Sequence, residues 1–274
     1  MDNNSINCSN IRELPEPSFL SCLKKEGHVL IYDAKVQCFS IEGNIDDKIL
    51  QEWALHIRRH YVRDDELTDY VHVYEIDAKK HLREDCIPDI PQIRSGDFAE
   101  IIISDLIQFI EGYEVPRYKQ HGREDKNKSE HGTDVIAYKV TNGSEANNND
   151  ELLAVEVKSR SSSPNLKGAI ADAARDSLKD RSRIAMTLAY YANRALAAHD
   201  TRTSTELKRF LHASEHPFKE TFAIGAVVGI KDAEHSLRDK SASDLSINHG
   251  QRVFIIHRTR LMDLIHSIYN RCVS

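Results

Sequence analysis

The sequence predicts an α/β protein with a mixed central sheet flanked by helices. Two observations carry that reading. Short apolar runs rich in β-branched residues, at 152–158, 222–230 and 252–259, alternate with longer stretches whose apolar residues recur every three or four positions. Three strand-like runs between 113 and 158 are joined by short loops, which suggests a meander. A long Ala-rich helical stretch then separates them from the last two runs, so both parallel and antiparallel neighbours are expected.

Taken in order, residues 1–27 look irregular, with Pro15 and Pro17 as breakers. Residues 28–41 (HVLIYDAKVQCFSI) have the content of one long strand or a hairpin. Residues 46–59 read as a helix with Ile49, Leu50, Trp53 and Ile57 on one face. Residues 60–93 are charged and mixed and end in Pro88 and Pro91, where a soft boundary is placed. It divides an acidic N-terminal extension or small subdomain, 1–90, expected to face a partner or keep the protein soluble, from a main domain, 91–274. Residues 95–110 are the clearest helix. Phe98, Ile101, Ile102, Leu106 and Phe109 keep helical spacing, and Asp97, Glu100, Ser104, Gln108 and Glu111 form a polar stripe on another face. Ser95 is the expected N-cap. Strands are predicted at 113–119, 134–140 and 152–158, with a polar loop at 120–132 and an Asn-rich turn at 141–151. A helical region from Asn165 to about His199, strands at 222–230 and 252–259 and a closing helix at 261–269 complete the chain.

Bulk properties exclude several classes. A hydrophobic content of 40% with 29% charged residues excludes a disordered chain. The start lacks the basic and apolar regions of a signal peptide, and no run approaches a membrane span, so a soluble, cytoplasmic protein with no membrane association is expected. The five cysteines, Cys8, Cys22, Cys38, Cys86 and Cys272, are scattered and never spaced CxxC, which argues against a zinc cluster or disulfide framework. Net charge is −6, but unevenly spread. The first 114 residues hold 12 Lys/Arg against 23 Asp/Glu, and the rest hold 25 against 20, so a polyanion would meet the second half.

The chemistry concentrates in residues 152–158 (LLAVEVK). Side chains alternate faces along a strand, so Glu156 and Lys158 share one face while Val155 and Val157 point to the other. The preceding strand begins HGTD, where Gly132 permits a close approach and Asp134 enters at the strand edge. Antiparallel pairing of the two strands brings Asp134 to the same end of the sheet as Glu156 and Lys158. Such a cluster suits phosphodiester hydrolysis. Asp134 and Glu156, with the Val157 carbonyl, offer hard oxygen ligands to Mg²⁺ (with Mn²⁺ as a substitute), and Glu100 is a candidate further ligand. Lys158 takes the role of orienting water or stabilising charge on the phosphate. The tripeptide itself is weak, since D/E-x-K occurs six times, with acids at Asp33, Asp46, Asp77, Glu124, Glu156 and Glu206. Only Glu156 combines an apolar strand with a preceding strand-borne acid, an acidic helix before it and a long helix after it. Lys119, Arg123, Arg160, Arg175 and Lys179 are candidates for phosphate contacts, weighed against a merely solvated basic face.

The segments GDFAEIIISDLI, HGTDVIAY and LLAVEVKSR together resemble the PD-(D/E)xK nuclease superfamily and, more narrowly, the HamA-like family of the Hachiman antiphage defence system. The resemblance covers roughly residues 95–183. It implies a restriction-endonuclease-like core and DNA cleavage in antiphage defence alongside a HamB-like helicase partner. By motif, Asp134, Glu156 and Lys158 would carry the metal and catalytic roles, and Glu100 that of the helix acid. Thr133 stands where the motif's proline would be.

Other readings are weaker. His56 and His60, and His212 and His216, have metal-ligand spacing, but HExxH is absent and both pairs read as ordinary surface or interface histidines. No Walker A, Rossmann or GxSxG pattern occurs. Gly225 and Gly229 inside an apolar strand read as close packing. A non-catalytic DNA- or helicase-binding module with a retained nuclease fold is the main alternative, against which the intact Glu156 and Lys158 weigh. A restriction-type enzyme would need a base-reading element that is not evident.

Overall fold

The computed structural model describes residues 14–27, 31, 33–130, 132–141 and 145–274. A six-stranded mixed sheet runs through it in the order β1-β2-β6-β5-β4-β3. The strands are β1 (Leu23–Glu26), β2 (Lys35–Ile41), β3 (Val135–Lys139), β4 (Glu151–Arg160), β5 (Lys219–Val228) and β6 (Arg252–His257). The β1–β2 and β3–β4 pairs are antiparallel and the three central pairings are parallel. The α/β class and mixed sheet read from the sequence are therefore what the chain forms.

Helices cover both faces. On one lie α1 (Asp47–Arg59), α4 (Pro91–Asp105) and α9 (Leu261–Cys272), packed with Val155, Val157, Phe254 and Ile256 of the sheet. The other face carries α5 (Leu166–Ser177), α6 (Asp180–Ala197), α7 (Thr201–Arg209) and α8 (Ala233–Leu237). Two short helices, α2 (Asp64–His72) and α3 (Ala78–His81), fill the charged stretch before α4. Residues on both sides of position 90 share one core. Phe19 stacks on Trp53 with ring centroids 4.1 Å apart, Trp53 meets Phe98, and β2 pairs along β6.

The structure departs from the sequence reading at defined places. The predicted strand at 113–119 is an extended segment with a single bridge, Glu114 to Tyr138, so the meander reduces to the β3–β4 pair. Helix α4 begins not at Ser95 but at Pro91, whose fixed φ and missing N–H suit a first turn. It continues through a π-helical turn, Leu106–Ile110. Ser95 is buried and its hydroxyl bonds those of Ser159 and Ser161, both at 2.6 Å. The N-terminal hairpin uses β1, within the stretch expected to be irregular. Residues 28–30 and 32 of the predicted strand lie outside the described residues. The helical region from Asn165 divides at Leu178 without Gly or Pro. At the break Gln251 donates to the buried Ser177 hydroxyl at 2.8 Å. Asn165 does cap its helix, its side chain accepting from Gly168 N–H.

Candidate active site

The antiparallel register Val135↔Val155 sets Asp134 beside Glu156, as the strand alternation requires. One Asp134 oxygen accepts the backbone N–H of Val157 at 2.8 Å, which fixes the carboxylate at the sheet edge. Val157 thus serves the site through its N–H, while its side chain packs in the core below. Glu156 and Lys158 share the opposite face, with Lys158 Nζ 2.7 Å from the Glu156 carboxylate and 3.0 Å from Asp176 at the end of α5. Gly225 opposes Val157 on β5, where a side chain would press on Val157 and Ile103 at 3.2 Å. Gly229 likewise meets the Ser161 carbonyl, so both glycines are close-packing positions. Gly132 adopts φ 110°, a left-handed conformation that glycine tolerates, immediately before the Thr133–Asp134 turn into β3.

The polar stripe of α4 is not solvated. Asp97, Glu100 and Ser104 are buried, because α4 lies against the 113–123 segment rather than open water. Glu100 is 7% exposed and faces Lys119, whose ammonium lies 3.1 Å from Glu100 and 2.8 Å from Asp134. Gln120 donates to the second Glu100 oxygen at 3.0 Å. Lys119, a candidate for phosphate contacts, is instead 3% exposed and bridges two site carboxylates. Arg123 is also turned inward, in a two-pronged ion pair with Asp97 at 2.7 Å, and Tyr61 donates to the same Asp97 at 2.6 Å. Arg160, Arg175 and Lys179 do lie at the surface beside Lys158, paired with Asp172, Asp172 and Asp176 respectively.

Electrostatics mark the cluster. Burial, reinforced by Asp134 and Asp97, pushes the Glu100 carboxyl up to about 8 against the pull of Lys119. Burial, together with Asp134 and Asp180, pushes Glu156 up to about 7 despite Lys158. Asp180, in the first turn of α6, is raised to about 6, by burial and then Asp134. Sequence reasoning missed Asp180 and Asp176, because nothing local separates them from ordinary helix-end acids. Thr133 donates to one Asp180 oxygen at 3.0 Å, but its other oxygen is buried with no hydrogen-bond partner.

Asp134 acts electrostatically on Glu100, Glu156 and Asp180, and one buried Asp180 oxygen lacks a donor, although among the described residues no three of these carboxylates bring oxygens within 4.8 Å of one another. That donor set fits a hard divalent cation at Asp134 and Glu156, with Glu100 and Asp180 flanking it.

The histidine pairs separate. His212 and His216 are exposed, whereas His56 and His60 are buried rather than on the surface, with His56 Nε2 3.0 Å from Asp105. Among the described residues, no helix is long and apolar enough to cross a membrane.

No curated protein matches the chain. The sequence profile of the HamA family matches residues 17–272, which spans the sheet, the α4 carboxylate and the Asp134–Glu156–Lys158 cluster together. The chain belongs to the HamA family, which places it in a Hachiman defence-related role.

Proposed function

We propose that the chain is a Mg²⁺-dependent DNA endonuclease with PD-(D/E)xK chemistry, acting in antiphage defence with a helicase partner. The observation that carries this reading is the Glu156–Lys158 pair on one strand face beside Asp134, whose carboxylate is pinned by Val157 N–H. Asp134 and Glu156 would hold the cation, with Glu100 as a further ligand. When bound, it supplies polarisation of the scissile phosphate and acidification of water. Lys158 is held charged, since Glu156 and Asp176 raise its pKa against the opposing effect of burial. It sets a fixed positive charge where the phosphate oxygens gain negative charge. Arg160, Arg175 and Lys179 border Lys158 at the surface and would track the DNA backbone.

The acidic part before residue 91 is the proposed helicase-facing surface. It carries exposed apolar side chains on and after α2, with Val73 and Tyr74 more than 60% exposed. The test is cleavage of plasmid DNA by the purified chain with Mg²⁺ or Mn²⁺, alone and with a HamB-like helicase, against an EDTA control. Cleavage abolished by EDTA supports the reading. Binding to DNA or helicase without cleavage under any of these conditions moves the chain to a binding module.

A further inference from the structure

A second cluster of metal-ligand types lies at the opposite side of the sheet, where β1, β2 and β6 adjoin. Glu26 sits directly across from Cys38 in the β1–β2 register. Cys38 in turn opposes Ile255 on β6, and His257 is two residues further along the same face. One ligand atom from each of Glu26, Cys38 and His257 lies within 4.8 Å of the others. The Glu26 carboxylate is 2.8 Å from His257 Nε2 and 3.4 Å from Cys38 Sγ. Cys38 and His257 are buried, while Glu26 is partly open to solvent and leaves an approach.

We infer that Glu26, Cys38 and His257 form a transition-metal site, best suited to Zn²⁺, that ties the β1–β2 edge to β6. The imidazole contacts argue for a cation. His257 Nδ1 lies 3.3 Å from the Ile230 carbonyl, which can only accept, so this nitrogen carries a proton in that contact. Nε2 then directs its lone pair at the Glu26 carboxylate unless a proton or a metal lies between them. An imidazole fixed through its other nitrogen by a backbone carbonyl is the usual second-sphere arrangement of a metal-ligating histidine. Thiolate, imidazole and carboxylate together select zinc or a neighbouring transition metal over Mg²⁺. Tetrahedral zinc places such donors roughly 3.4–3.6 Å apart given its bond lengths, so the 3.4 Å sulfur–oxygen contact is close to that spacing and the 2.8 Å nitrogen–oxygen contact must open on metal binding. The fourth position, toward solvent at Glu26, is left to water.

Two comparisons sharpen the assignment. A cysteine nucleophile needs its base at the sulfur, whereas here Cys38 faces a carboxylate and the imidazole lies beyond it. His56, His60 and Asp105 also gather three donors, but the Arg117 guanidinium lies 2.6 Å from Asp105 and 3.3 Å from His60, placing a positive charge where a metal would sit. Among the described residues, no lysine or arginine pairs with Glu26.

The test is titration of the metal-stripped full-length chain with Co²⁺, followed by absorbance. A thiolate ligand gives a sulfur-to-cobalt charge-transfer band in the near ultraviolet, and the Asp134–Glu156 cluster contains no cysteine to produce one. The expected result is a band that saturates at one equivalent, persists in Glu156→Gln, is displaced by Zn²⁺, and is lost in Cys38→Ser and His257→Ala. Glu26→Gln, which alters a partly exposed side chain and leaves the core intact, is expected to weaken Co²⁺ binding about tenfold or more. Absence of the band with excess Co²⁺, its survival in Cys38→Ser, or unchanged affinity in Glu26→Gln would each overturn the assignment.

Discussion

The ammonium of Lys119 lies 2.8 Å from the carboxylate of Asp134, with almost none of the lysine exposed, and it reaches Glu100 at 3.1 Å as well. Lys119 therefore neutralises the two carboxylates that a divalent cation would also neutralise. Replacing it with methionine leaves the buried Glu100 without its cation and facing the half-buried Asp134, at a cost of about 3 kcal/mol or more. The expected outcome is a large fall in Tm for Lys119→Met without metal, and a larger recovery on adding Mg²⁺ than the wild-type chain shows. Equal Mg²⁺ responses in the two proteins would argue that the cation does not bind beside Asp134.

The raised carboxyls predict a pH dependence. Glu100 at about 8 and Glu156 at about 7 both lie above the ordinary value of 4.5. Between 4.5 and 8 the folded chain holds protons there that the unfolded chain has released. These groups therefore lower stability progressively as pH rises through that window. In EDTA, Glu100→Gln should gain little or no stability relative to wild type near pH 5 and should gain a few degrees in Tm near pH 8. Thermal melts across that range check the sign. A difference that shrinks as pH rises contradicts it.

Gly225 supports the site from beneath. A Cβ there would lie 3.2 Å from both Ile103 and Val157, and Val157 N–H is what holds Asp134. Gly225→Ala is expected to cost about 1–3 kcal/mol by overpacking and to reduce cleavage beyond what the loss of folded protein explains. Urea denaturation paired with rate measurements on the folded fraction separates the two effects.

The strand-borne part of the site was legible because period-two alternation leaves no choice. Once residues 152–158 form a strand, Glu156 and Lys158 must share a face, and antiparallel pairing brings Asp134 alongside. What could not be read was which polar residues would be covered. The α4 stripe of Asp97, Glu100 and Ser104 has the pattern of a wet face. It is buried because the 113–123 segment crosses it, and that segment forms a single bridge instead of the strand that Val115 and its flanking tyrosines suggest. Lys119 and Arg123 turn inward for the same reason, to meet Glu100 and Asp97. Asp180 reaches the cluster through a helix break at Leu178 that no Gly or Pro announces. The links from β2 to β6 and from α1 to α9 are long-range contacts, which local sequence patterns do not encode.

The central claim is that Asp134, Glu156 and Lys158 form a metal-dependent nuclease centre. Its most direct test is the initial rate of supercoiled DNA cleavage with Mg²⁺ for wild type, Glu156→Gln, Lys158→Ala and Glu124→Gln, each shown to be folded by its melting curve. Glu124 belongs to another D/E-x-K triplet, is itself exposed, and serves as the control. The account predicts losses of roughly 100-fold or more for Glu156→Gln and Lys158→Ala, with Glu124→Gln close to wild type. Wild-type cleavage by folded Glu156→Gln would contradict it.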